Sequence, residues 1–160
     1  MNIPMPLDKS SLQWRRWRLY VPLVAVIVLA PACTAPAPRA RIVPAGELTW
    51  TDVMDPNGLP LGLRTVDVWG NARQGAHGSL TKFPAAFAEP LHRHSNPIRV
   101  VVLSGIMRFV IDGVESVDLG PESYVSIPAD VPHFARCAGT APCEVLIEQD
   151  AAMDVKLGAN

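Results

Sequence analysis

The stretch Glu89–Gly105, EPLHRHSNPIRVVVLSG, decides how the rest of the chain is read. Side chains at i and i+2 of a strand share a face. His92 and His94 therefore point the same way, about 6.5–7 Å apart along an extended backbone, and Arg93 points the other way. If the shared face lines the inside of a barrel, two neutral imidazoles can bind one metal ion, provided another element supplies a third donor. The chain has four histidines. His133 lies in IPADVPHFARC, after a turn and at the start of an extended run. His77, in the glycine-flanked GAHGSL, is the weaker candidate: a fourth ligand or a surface residue at a strand edge.

Outward from this stretch the chain reads as short strands between turns. LRTVDVW (63–69), HGSLTKF (77–83), FAEPLHRH (87–94), IRVVVL (98–103), IMRFVI (106–111), VESVDL (114–119), SYVSIP (123–128) and EVLIEQ (144–149) are the segments. Ser104-Gly105 predicts a hairpin between the fourth and fifth, and Asp112-Gly113 is a strong turn signal before the sixth. No window of helical period is long enough to matter between residues 60 and 150. With 16 prolines and 11 glycines in 160 residues, the composition speaks against a helical bundle. Many short strands at this spacing make an all-β sandwich or closed barrel.

The domain is expected over residues 46–150, with 151–160 (AAMDVKLGAN) a tail that has little to bury and frays or forms a short helix. The net charge of −1 gives no footprint for nucleic acid. The charge is uneven, however. Lys9, Arg15, Arg16 and Arg18 precede a twelve-residue apolar run, residues 19–30, and Ala30 and Ala32 flank a cleavage point before Cys33. The run is shorter than the roughly twenty residues a spanning helix needs. Residues 1–32 thus read as a secretory signal. The segment LAPAC is also similar to a bacterial lipoprotein box, in which Cys33 would be acylated and tether the protein to a membrane. Residues 33–45, rich in proline and alanine, read as a semi-rigid linker. The expected location is the periplasm, or the outer membrane as a lipoprotein. Cys137 and Cys143 flank the turn AGTAP, read as the mouth of one hairpin, and should be disulfide-bonded outside the cytoplasm.

At this point a family resemblance enters. The chain resembles the cupins, small jelly-roll barrels (double-stranded β-helices) whose metal site uses two motifs. The first runs Gly, five residues, His-x-His, three or four residues, Glu, six residues, Gly. His92, His94 and Gly105 match it. Ala86 stands at the opening glycine, and Ile98 or Arg99 at the glutamate. The second runs Gly, five residues, Pro-x-Gly, two residues, His, three residues, Asn. Pro128 and His133 match, while Glu122 and Asp130 replace the glycines and Cys137 the asparagine. The resemblance covers residues 60 to 150, as in small single-domain secreted cupins of undefined function.

It implies a divalent transition ion (iron, zinc, manganese, nickel or copper, which ligand type does not separate) held by His92, His94 and His133 without the family's glutamate. Such a centre keeps its full positive charge and favours small anionic or chelating ligands. Similar three-histidine cupins include thiol dioxygenases and β-diketone-cleaving dioxygenases that use iron(II). The competing reading is a non-catalytic cupin acting as sensor, carrier or structural module. A homodimer is the expected assembly. Arg99 would hold a carboxylate or phosphate substrate if it faces inward, and is a solvated strand arginine if it does not. Glu89, Glu144 and Glu148 are further candidates for the missing carboxylate. Trp50 and Trp69 read as barrel packing rather than substrate platforms.

Overall fold

The structure is a computed structural model that describes residues 40–55 and 57–158. The signal segment, Cys33 and the first part of the linker lie outside the described residues. A 3-10 turn, Ala45–Glu47, precedes eleven strands: β1 Thr51–Met54, β2 Pro60–Gly70, β3 His77–Phe83, β4 His92–Arg93, β5 Ile98–Ser104, β6 Met107–Ile111, β7 Asp118–Leu119, β8 Tyr124–Ile127, β9 His133–Cys137, β10 Cys143–Gln149 and β11 Lys156–Leu157. They form two antiparallel sheets, β1-β2-β3-β10-β5-β8 and β11-β4-β9-β6-β7. This is the expected jelly roll.

The core lies between the sheets and follows from strand periodicity. Ile98, Val100 and Val102 of β5 face inward, as do Val125 and Ile127 of β8, Met107 and Phe109 of β6, and Ala135 and Cys137 of β9. Alternate residues point to solvent, so each strand contributes half its side chains to the interior.

Two turn readings need correction. Ser104-Gly105 does not close a hairpin: β5 pairs with β10 and β8, whereas β6 pairs with β7 and β9. The turn carries the chain from one sheet to the other. Cys137 and Cys143 are bonded, but β9 and β10 lie in opposite sheets. The bridge therefore clips the sheets together rather than closing a hairpin mouth. Its short loop contributes about 2–3 kcal/mol in the chain-entropy account.

The strand expected over 87–94 is reduced to His92–Arg93. Pro90 has no N–H to donate, and upstream only an isolated bridge, Ala88 to Arg136, continues the pairing. The tail also differs from expectation. Leu157 and Lys156 pair with His92 and Arg93, so the tail adds a two-residue edge strand beside the histidines.

The family's glycine positions keep their backbone geometry without glycine. Ala86, Glu122 and Asp130 have φ of 61°, 70° and 60°, and Gly105 has φ 78°. The left-handed region costs an L-residue about 1–2 kcal/mol. Ala86 is exposed and has no side-chain polar group to offset that cost. Ala86→Gly should therefore stabilise the domain by about 1 kcal/mol, less the entropy glycine adds to the unfolded chain. Urea denaturation checks it, and an unchanged or lower midpoint would contradict it.

Candidate metal centre

Register assembles the site. β4 pairs with β9 so that His92 stands directly opposite His133. His94 follows two residues after His92 on the same face. The three side chains are buried, with ring centroids 4.9 Å (His92–His94), 4.5 Å (His92–His133) and 5.3 Å (His94–His133) apart.

The second nitrogen of each ring decides what the cluster can do. Nδ1 of His92 donates to the Pro90 carbonyl at 2.8 Å, and Nδ1 of His133 to the Val131 carbonyl at 2.8 Å. Nδ1 of His94 donates to the Asp154 carbonyl. A carbonyl can only accept, so each ring carries its proton on Nδ1 and presents a bare Nε2 lone pair. One ligand atom from each ring falls within 4.8 Å of the others. Three converging lone pairs with no donor between them repel one another, and a cation removes the repulsion. The donor set thus fits a divalent transition ion with three imidazole ligands. Among the described residues this is the one such group of three or more.

Burial adjusts the rings for the same task. It pushes the His133 imidazole down to about 4, against the Val131 hydrogen bond and helped by the neighbouring rings. It lowers His94 too, against the Asp154 carbonyl. Protons compete with metal for Nε2, so a depressed value preserves binding as pH falls through 6.5 toward 4. Between about pH 7.5 and about pH 5.5, three unperturbed imidazoles would lose roughly a thousandfold in affinity. This site should lose less than about a hundredfold. Zinc competition titrations at both pH values check this; a thousandfold loss would show ordinary imidazoles.

The C-terminal segment is what sequence reasoning missed. Besides the Asp154 carbonyl on His94, the Asp154 carboxylate accepts from the Ser95 N–H at 3.0 Å, and the Gly158 N–H donates to the Leu91 carbonyl at 2.9 Å. Met153 and Val155 line the cavity beneath the histidines. In AAMDVKLGAN the available signal is the alternation of Met153, Val155 and Leu157 with Asp154 and Lys156, the period of a strand.

The other candidates fall away from the centre. His77 is fully buried rather than at the surface, and its Nδ1 donates to the Gly75 and Ala151 carbonyls. It is not in the cluster and serves to seat the start of the tail. Arg99 faces outward in a two-point ion pair with Asp150, at 2.7 and 2.9 Å, so it holds no substrate at the histidines. Ile98, beside it, points inward and lines the cavity, filling the family's glutamate position with an alkyl group. Glu144 and Glu148 lie on the outer face of β10, and Glu148 accepts from Trp69 Nε1 at 3.3 Å. Trp50 packs under the Lys82 ammonium at 4.0 Å. Neither tryptophan lines the cavity.

Glu89 does face inward. The cavity, about 210 Å³, is lined by apolar side chains such as Phe83, Phe109, Val145 and Ile147, with the three histidines, Glu89 and the hydroxyls of Thr65, Ser79 and Thr81. The Ala135 N–H donates to Glu89 Oε2 at 3.3 Å. Part of the side chain's surface is exposed, but its carboxyl group is closely enclosed. That burial pushes the carboxyl up to about 7, while the Ala135 N–H pulls it down.

An antiparallel jelly roll with three inward histidines at one end is the arrangement of a metal-binding cupin. The family model of the Cupin domain matches residues 79–147, so that part of the chain is a cupin domain. No curated protein matches it. Similar solved structures include the polyketide cyclase RemF from Streptomyces resistomycificus, with a TM-score of 0.61 and 17% identity over 74% of this chain and 85% of that one. A cupin-2 domain from Rhodospirillum rubrum gives 0.60 and 14% over 75% and 80%. The DMSP lyase DddQ from Ruegeria pomeroyi gives 0.57 and 19% over 70% and 61%, so the chain spans about three fifths of that lyase. At these identities the likeness is one of fold.

Proposed function

We propose that the protein is an exported, metal-dependent cupin enzyme acting on a small, largely apolar molecule that presents oxygen donors to the three-histidine centre. The observation that carries this reading is the composition of the cavity: three bare Nε2 atoms, one carboxyl group, no lysine or arginine, and otherwise alkyl, aromatic and hydroxyl groups. With no cationic side chain in the lining, an anionic group on a ligand has the metal as its counter-charge. The ion, when bound, supplies Lewis-acid polarisation of a ligand oxygen. The chain's residues do the rest. Carbonyls 90, 131 and 154 hold the rings in one tautomer, the apolar walls exclude water, and Ile98 leaves a coordination position open.

Two reaction classes fit. One is dioxygen chemistry at iron, expected from the resemblance to three-histidine dioxygenases. The other is redox-neutral chemistry of the kind named for the cyclase and the lyase among the structural neighbours. The inward carboxyl of Glu89 favours the second. Export belongs to the same proposal and rests on the basic and apolar residues before Cys33.

The test titrates acetylacetone into metal-loaded wild type and Ile98→Glu, with oxygen uptake followed in parallel. Wild type should bind the probe at least about tenfold more tightly, because the new carboxylate adds charge and takes a coordination site. Equal affinity would overturn the open-position reading. Binding with neither oxygen uptake nor conversion of carbonyl compounds would favour a carrier or sensor.

A further inference from the structure

We propose that Glu89 is a catalytic residue of this site, the proton acceptor for a carbon acid: a molecule with a C–H bond next to a carbonyl whose oxygen faces the three histidines. The inference rests on the small-molecule reading above and names its reaction class.

The geometry comes from strand pairing. The Glu89 N–H donates to the Ala135 carbonyl at 2.9 Å, and the Ala135 N–H donates back to Glu89 Oε2 at 3.3 Å. Both ends of the residue are thus fixed to Ala135. Ala135 stands two positions after His133 on the same inward face of β9. Along β9 the backbones of His133 and Ala135 are thus about 6.5–7 Å apart, and Glu89 is held at the Ala135 end of that step. It is outside the tight group of ligand atoms, which comprises the three histidines alone. Glu89 and His92 are further joined through Pro90, whose carbonyl orients the His92 ring.

The chemistry of the lining narrows the role. Glu89 is the only acid among the cavity residues, and no cationic side chain faces it. It shares this cavity with His92, His94 and His133, shares a second one with His92 and Asp55, and accepts from the Ala135 N–H. Its Oε2 is engaged, while Oε1 has no hydrogen bond to the described residues and is free to take a proton. A carboxylate among alkyl and aromatic groups is poorly solvated and a stronger base than one in water.

In the step, the C–H bond breaks and its proton passes to Glu89 Oε1. The bonding pair moves through the adjacent carbon onto the carbonyl oxygen, giving an enolate. The proton then returns to carbon in an isomerisation, or to a departing β-substituent in an elimination. No oxidant or reductant is consumed.

The test compares metal-loaded wild type with Glu89→Gln, which keeps the size and the Ala135 contact. Acetylacetone is the probe, because its neutral enol loses one proton on binding as a two-oxygen anion. Titration calorimetry at about pH 8, in buffers of different ionisation enthalpy, counts protons released per probe bound. Both proteins should hold equal metal and bind the probe, with Glu89→Gln releasing about one proton more. In wild type, infrared difference spectra should show a protonated carboxyl appearing on probe binding, a readout that needs no variant. Equal proton release, or no new carboxyl band, overturns the role of Glu89 while leaving the chelating site intact. Metal loss in Glu89→Gln makes Glu89 a ligand and also overturns it. No probe binding to either protein overturns the small-molecule reading, and this inference with it.

Discussion

Replacing His92 and His94 together by alanine is expected to reduce bound divalent metal from about one ion per chain to background. Two of three donors go, and His133 alone offers one lone pair. Even outer-shell partners of metal-ligating histidines are worth about 10–100-fold in affinity, so losing two ligands should cost at least about a thousandfold. Stability reports the same loss. Metal at a hundred times its dissociation constant stabilises a folded protein by about 2.7 kcal/mol. Wild type should therefore show a metal-dependent rise in Tm of roughly 10 °C, and the double variant none. Elemental analysis after gel filtration, with thermal melts, makes the comparison. Equal metal content in the two proteins would place the ion elsewhere.

Gly105→Ala is expected to destabilise the domain strongly. Gly105 has φ 78°, where an alanine costs about 1–2 kcal/mol. A Cβ built there would also lie 2.6 Å from Cys143 Sγ, 2.8 Å from Cys143 Cα and 2.8 Å from the Pro142 carbonyl oxygen. Those atoms cannot yield easily, because the disulfide and the β10 pairings hold them. Overpacking of this kind adds about 1–3 kcal/mol. The sum, about 2–5 kcal/mol, is a large share of the 5–15 kcal/mol typical of a domain. Tm should fall by more than about 10 °C, and soluble yield with it. A fall of less than about 2 °C would show that the inter-sheet crossing relaxes around the methyl.

Much of the site was legible because its signals are local. Strand period alone puts His92 and His94 on one face, and turn chemistry marks Gly105. The motif spacing also held where the residues did not. Ala86, Glu122 and Asp130 occupy glycine positions and take the left-handed backbone regardless, since the surrounding strands impose it. The missing carboxylate was legible as well: Ile98 stands in its place and faces the cavity.

What failed were statements about partners distant in sequence. A two-residue turn between apolar strands reads equally as a hairpin or a crossing between sheets, and only the pairing of β5 with β10 distinguishes them. The direction of Arg99 was undecided until Asp150, 51 residues away, gave it an outward partner. The tail looked dispensable because its value lies in a main-chain carbonyl, Asp154, and main-chain atoms leave no mark on composition.

The sequence by itself determined an all-β domain with paired histidines on one strand face, because periodicity and turns depend on near neighbours, and its motif spacing resembles that of the cupins. Only the tertiary structure decided that His133 stands across from His92, that the tail orients His94, and that Glu89 enters the cavity against Ala135. Each of those is a long-range contact, fixed by strand register and by burial between two sheets, and neither exists until the barrel has closed.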